Sequence, residues 1–231
     1  MTTLSLARLP GSGWLALLGG GEFSFGETEE ADRAWLARTP PGPVGFLPTA
    51  SGSVDYGQHF ATYLREIHER EVEVIPVYRR RDALRGKNAE RLAAVPALYL
   101  GGGVTDHLLE TLPGTVVGEA LAAKLAAGGV VIGIAAAAQA LGRVARSLLT
   151  RSLLPGLAYL PEAVIGPNFD PAHDRRLRQM MASPGVKVGL GLPAGSALLV
   201  APDGQAEAVG PVFALSDAEG DFEVMGALPR L

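Results

Sequence analysis

Val131-Ile132-Gly133-Ile134-Ala135-Ala136-Ala137-Ala138-Gln139 is an apolar run that passes through one glycine and becomes alanine-rich. Its first half predicts a buried strand and its second half the helix that the strand feeds. In α/β hydrolytic enzymes a sharp strand-to-helix corner of this kind carries the nucleophile. Here Ala135 stands at the corner and offers a methyl where an enzyme needs a hydroxyl. Alanine is also the best helix former, so four alanines at a helix start need no chemical history.

Outward from this segment, strand-like runs alternate with helical stretches, which predicts a parallel α/β sheet. Trp14–Leu18, Val44–Leu47, residues 72–77, Ala97–Leu100 and Val130–Ile134 have strand character. Helices are expected over residues 27–38, 56–70, 88–94, 115–127 and 135–149, with Thr105 as a cap for another helix. In residues 56–70, Phe60, Tyr63, Leu64 and Ile67 share one face. Beyond Leu153 the strands shorten to residues 163–165, 197–201, 206–212 and 222–224, separated by Pro-Gly and Asp-Gly turns. This predicts a single domain with antiparallel C-terminal strands on a parallel core.

The bulk properties exclude several classes. The chain has 231 residues, 48% apolar and 19% charged, enough to bury a substantial core. A net charge of −4 gives no attraction to nucleic acid or to an anionic membrane. No window approaches the length of a membrane span. With no cysteine, disulfides, thiolate metal ligands and a cysteine nucleophile are excluded. The opening residues do not resemble a secretory leader, because Arg8 comes late and Trp14–Leu18 is short. A cytoplasmic protein is expected, with its oligomeric state open.

Glycine clusters close three strands: Gly19-Gly20-Gly21, Gly101-Gly102-Gly103, and Gly133. Bare backbone at the carboxyl edge of an α/β sheet lets amides approach a ligand, or serves only as a tight turn. The chain has neither a G-x-G-x-x-G fingerprint nor a phosphate-binding P-loop, so no nucleotide cofactor is expected. His59, His68, His107 and His173 lack metal-site spacing, and no metal is expected. His59 and His68 are expected to be solvated, whereas His107 follows a glycine loop. Thr49 and Ser51 stand after a strand, where turn chemistry also explains them. Arg79-Arg80-Arg81 could grip a carboxylate or phosphate, or form a solvated loop.

Together these segments resemble the dipeptidase E and cyanophycinase family of serine peptidases. Gly19-Gly20-Gly21-Glu22 is similar to that family's opening loop, and Phe46-Leu47-Pro48-Thr49-Ala50-Ser51 to its I-P-T-A-S segment. Tyr99-Leu100-Gly101-Gly102-Gly103 resembles its F-x-G-G segment, and residues 128–138 its G-x-x-x-x-G-x-S-A-G-A corner. The resemblance implies a fold like class I glutamine amidotransferases. This is a flavodoxin-like three-layer α/β sandwich with a mostly parallel central sheet. It makes Ala135 the family's serine position and Asn168 its histidine. Ala137 replaces a glycine, with a methyl expected to crowd a close backbone approach. Pro193 and Ala194 replace the acids of a G-I-D-E segment.

Loss of several catalytic parts implies a non-catalytic homologue, with Ala135, Ala136, Asn168, Pro193 and Ala194 as vestigial positions. A small peptide or amino acid remains a conceivable ligand, held by Gly20, Gly21, Glu22, Thr49, Ser51, Gly102, Gly103 and His107. Two alternatives stay open. One is a hydrolase with relocated chemistry, using Ser51, Ser196 or Thr49 with His107 or His173. The other is an interaction scaffold.

Overall fold

The computed structural model describes residues 4–226, so residues 1–3 of the leader question lie outside it. The strands are β1 (Leu4–Ser5), β2 (Trp14–Leu18), β3 (Val44–Leu47), β4 (Val72–Val74), β5 (Ala97–Leu100), β6 (Val130–Ile134) and β7 (Val144–Arg146). They continue as β8 (Leu153–Pro155), β9 (Ala163–Pro167), β10 (Val188–Leu192), β11 (Ala197–Val200), β12 (Gln205–Val209), β13 (Val212–Leu215) and β14 (Glu223–Met225). The helices are α1 (Glu29–Leu36), α2 (Val54–His68), α3 (Arg80–Ala83), α4 (Gly86–Ala94), α5 (Thr105–Thr111), α6 (Val116–Ala126), α7 (Ala136–Ala140) and α8 (Arg175–Met181).

The central sheet has the order β1-β12-β11-β2-β6-β5-β3-β4. From β2 to β4 its neighbours pair parallel, while β11, β12 and β1 extend it antiparallel beyond β2. Every residue of β3, β5 and β6 is buried. Strands covered on both faces have no solvent side, which is why they are apolar at each position. Alternate side chains serve opposite layers. Leu15, Leu17, Leu98, Leu100 and Val131 pack with Leu92, Leu108, Leu121 and Leu125 of α4, α5 and α6. Phe46, Tyr99 and Ile132 pack with Trp35 of α1 and with Phe60 and Leu64 of α2. The second layer is aromatic, with Phe60 and Tyr99 ring centres 4.3 Å apart. The result is the three-layer α/β arrangement expected.

Several local expectations are corrected. The helix after Ala135 ends at Ala140, and the chain then forms β7 paired antiparallel with β8. Gly142 bridges to Leu160 and the Arg143 amide donates to Ala163 at 2.8 Å. These sheet-like bonds override the helix propensity of the segment. Thr105 does not cap α5, because Val104 occupies that place; the Thr105 hydroxyl reaches the Ala136 carbonyl instead. Nor is the C-terminal extension purely antiparallel. A second sheet, β14-β13-β10-β9, contains a parallel β9–β10 pair. In β10 (VGLGL) Gly189 makes room for Met181 of α8 and Gly191 for Phe169. This strand is bare on one face and lacks the usual strand signature.

Asp32 is fully buried on the aromatic side. It accepts from Thr28 Oγ1 at 2.7 Å, Trp35 Nε1 at 2.7 Å and Tyr63 Oη at 2.9 Å. Tyr63 commits its hydrogen to Asp32, so its oxygen accepts from His68 Nε2 at 3.1 Å. His68 is therefore half-buried and bonded, not solvated as expected, whereas His59 is exposed. Burial raises the Asp32 pKa despite these donors. Burial also lowers that of His68, against the attraction of Asp32.

Two predictions follow from packing and burial. A Cβ at Gly133 would stand 2.7 Å from Leu141 Cδ1 and 3.0 Å from the α7 backbone. Gly133→Ala should lower stability by about 1–3 kcal/mol, as overpacking does, seen as a reduced urea midpoint with unchanged slope. A depressed His68 pKa favours the neutral ring in the fold. Its contribution is complete above the unfolded value of about 6.5 and is lost as pH falls below it. The Asp32 shift has the opposite sign, its contribution being lost as pH rises above about 3.9. Melting temperatures between neutral and mildly acidic pH should fall less in His68→Gln than in the wild type. Equal slopes would show that His68 does not titrate differently on folding.

Candidate active site

At the end of β6 the Ala135 backbone adopts φ +50°, ψ −109°. This lies outside the helical, extended and left-handed helical regions, and for an L-residue it costs on the order of 1–3 kcal/mol. The conformation is held from both sides. The Ala135 amide donates to Leu18 of β2 at 2.9 Å, and its carbonyl accepts from Gln139 of α7 at 3.0 Å. The half-buried methyl lines a cavity of about 840 Å³ with Ala136, Gln139, Arg146, Asn168 and His173.

Other chain segments meet beside this corner through backbone bonds. Asn168, in the left-handed region at φ +46°, donates from its amide to Gly19 at 2.7 Å. Its side chain lies against Gly20, where a Cβ would fall 2.1 Å from Asn168 Oδ1. Gly195 donates to Gly20 at 3.0 Å and Gly19 to Ser196 at 2.9 Å, which brings Pro193 and Ala194 to the same loop. A Cβ at Gly102 would sit 3.7 Å from the Ala135 methyl. The Gly103 and Ala136 amides have no backbone acceptor among the described residues. Burial pushes the Tyr56 phenol up to about 12, against the pull of the Gly102 amide, so it is a neutral hydroxyl at pH 7.

The sequence-expected positions thus divide. Ala135, Ala136, Asn168, Pro193, Ala194, Gly20, Gly21, Gly102 and Gly103 belong to this corner or its adjoining loops. Thr49 is fully buried and donates to the Val77 carbonyl at 2.6 Å. Ser51 bonds Pro48 at 3.0 Å, and Ser196 bonds Pro193 at 2.7 Å. Glu22 caps a short 3₁₀ turn through Ser24. His107 Nδ1 donates to the Ala50 carbonyl at 3.2 Å, and the residue lines a different cavity. Ala137 does not crowd the corner. It is buried in the core, and the close strand–helix approach falls on Gly133.

Sequence reasoning passed over two cavity residues. Gln139 is the first polar residue after the alanines; its Oε1 accepts from the Arg146 amide at 3.2 Å. Arg146 lines the cavity with a buried Nε that has no hydrogen-bond partner. Nearby, burial pushes Asp106 upward, but the Ser147 hydroxyl and the Leu148 amide outweigh it and hold the carboxyl below its usual range. On the rim His173 Nδ1 lies 2.7 Å from exposed Asp170, which holds that carboxylate below its usual range. Among the described residues no cluster of three or more His, Asp or Glu side chains could hold a metal ion.

A strained strand–turn–helix corner at the carboxyl edge of a parallel sheet, flanked by bare glycine loops, defines a hydrolase-type α/β protein. The chain belongs to Peptidase family S51, whose model matches residues 15–208. Among solved structures it is similar to a peptidase from an acI-B1 Actinobacterium, with 20% identity and a TM-score of 0.73 over 95% of this chain and 96% of that one. It is also similar to a putative peptidase E protein from Listeria monocytogenes EGD-e, with 17% identity and a TM-score of 0.62 over 88% and 99%. No curated protein sequence matches it.

The strain at Ala135 can be measured. Glycine adopts such a φ freely, at a backbone-entropy cost of about 0.5–1 kcal/mol. Ala135→Gly should therefore be neutral or more stable by about 1 kcal/mol in urea denaturation. A clear loss of stability would show that the corner is not strained.

Proposed function

We propose that this protein is a non-hydrolysing member of Peptidase family S51 that binds a small peptide or free amino acid by its carboxylate. The observation that carries the reading is the Ala135 methyl, held in a strained corner where a nucleophile would stand. Amide hydrolysis of this type needs an attacking oxygen and a base to take its proton. The Ala135 side chain has no oxygen, and the carboxamide of Asn168 cannot act as the base, a contribution on the order of 10²–10⁴ in rate. Arg146 supports retained binding. It lines the cavity and places a positive charge there, for which a carboxylate is the natural partner. The free Gly103 and Ala136 amides favour the same charge.

Purified protein should release no amine from α-aspartyl dipeptides or β-aspartyl-arginine polymer. Turnover that survives repurification would overturn the reading. In a thermal-shift screen of amino acids and dipeptides, a ligand at 100 times its Kd adds about 2.7 kcal/mol. That shift should disappear in Arg146→Gln. Silence throughout the screen would leave an interaction scaffold.

One observation favours a second reading, in which chemistry has moved to other residues. His173 and Asp170 form a base-orienting pair on the rim of the same cavity. Against it, among the described residues no serine or threonine hydroxyl is hydrogen-bonded to an imidazole, and Thr49, Ser51 and Ser196 are bonded to backbone. A fluorophosphonate probe mapped by mass spectrometry should leave no serine adduct; a stoichiometric adduct would establish the second reading.

A further inference from the structure

A second cavity, of about 750 Å³, opens past the carboxyl ends of β3 and β4. It is separate from the Ala135 cavity but adjoins it. Gly103 lines the first cavity and packs its α-carbon on Ala50, and the Ala50 carbonyl bonds His107 of the second. We propose that this second cavity is a binding site for a phosphate-bearing small molecule.

Arg79, Arg80, Arg81 and Arg85 all line the cavity, against two carboxylates, Asp82 and Glu110. Asp82 offsets part of that charge. Its Oδ2 accepts from the Tyr78 amide at 3.3 Å and the Arg79 amide at 3.2 Å. Its Oδ1 forms longer ion pairs with Arg85 and Arg81, at 3.6 and 3.9 Å. Arg79 has no ion-pair partner among the described residues, and Arg80 binds only the backbone carbonyls of Pro113, at 2.7 Å, and Glu110, at 3.3 Å. Those bonds orient the Arg80 guanidinium and leave its charge uncompensated.

This concentration of positive charge runs against a chain whose net charge is −4. The rest of the surface would repel a polyanion, so attraction must be local, and a concave site focuses it. Arg79, Arg80 and Arg81 are exposed, as a solvated segment would be, and lead into α3, which fixes the spacing of the arginines. The place is also apt, since ligands of open α/β sheets bind outside the carboxyl ends of the strands. Guanidinium forks suit carboxylate and phosphate alike. Arg79 and Arg80, without ion-pair partners among the described residues, stand beside Arg81 and Arg85, which share Asp82; this set matches a group with two or more negative charges better than a single carboxylate.

Isothermal titration of the full chain with pyrophosphate tests the proposal, with citrate as the carboxylate arm. Saturable pyrophosphate binding is expected, weaker at high ionic strength. Arg79→Gln/Arg85→Gln should weaken it at least about tenfold, since two charge-assisted contacts are removed. The Lys/Lys variant, which keeps the charges and loses the forks, should fall between. Arg146→Gln, in the other cavity, should bind pyrophosphate like the wild type. Absence of saturable binding, an unchanged double variant, tighter binding of citrate, or loss of binding in Arg146→Gln would each overturn the proposal. The first reading stands or falls separately, because its ligand is lost in Arg146→Gln.

Discussion

The geometry of the Ala135 cavity depends on one over-determined turn. The β2–β6 ladder pairs Leu18 with Ile134, and the next amide, that of Ala135, still reaches the Leu18 carbonyl. The chain must therefore stay extended up to residue 134. Directly afterwards α7 folds back onto the strand, close enough that position 133 can carry no side chain. Between a hydrogen bond on one side and a helix on the other, residue 135 has no relaxed conformation left. The strain is a property of the scaffold and does not require a reactive side chain to sustain it.

The same economy governs the loops around it. Gly19 and Gly20 accept from the amides of Asn168 and Gly195, so the end of β2 ties together three segments distant in sequence. Side chains at these positions would collide with Asn168 or with the carbonyls of residues 192 and 193. Bare backbone is needed here for assembly, whatever a ligand adds. This separates the glycine loops, whose structural need is evident, from Arg146, whose unpaired buried nitrogen has no structural explanation in the fold.

Much of the architecture was legible because the parallel strands are buried on both faces. Trp14–Leu18, Val44–Leu47, Ala97–Leu100 and Val130–Ile134 stand out as apolar runs with the bounds later observed. What escaped was decided by tertiary bonds. The helix after Ala135 is cut short by sheet-like hydrogen bonds between residues 141–143 and residues 158–163. β10 carries two glycines in five residues because their missing side chains are supplied by α8 and Phe169. His68 carries no mark in sequence of its link through Tyr63 to a buried carboxylate thirty-six positions away. At the site, Ala135 and Asn168 were visible as replacements within recognisable motifs. Arg146 was not, because it lies on a strand whose sequence continues the helical character of the alanine-rich segment.

α8 serves two structures at once. Its Met181 fills the gap over Gly189 in the smaller sheet, while its Leu177 and Met180 form part of the wall beside Ala135. A molecule pressing on that wall therefore pushes on the lid of the smaller sheet, and loosening of that sheet widens the chamber. The packing of the smaller sheet and the shape of the chamber thus share one seven-residue helix.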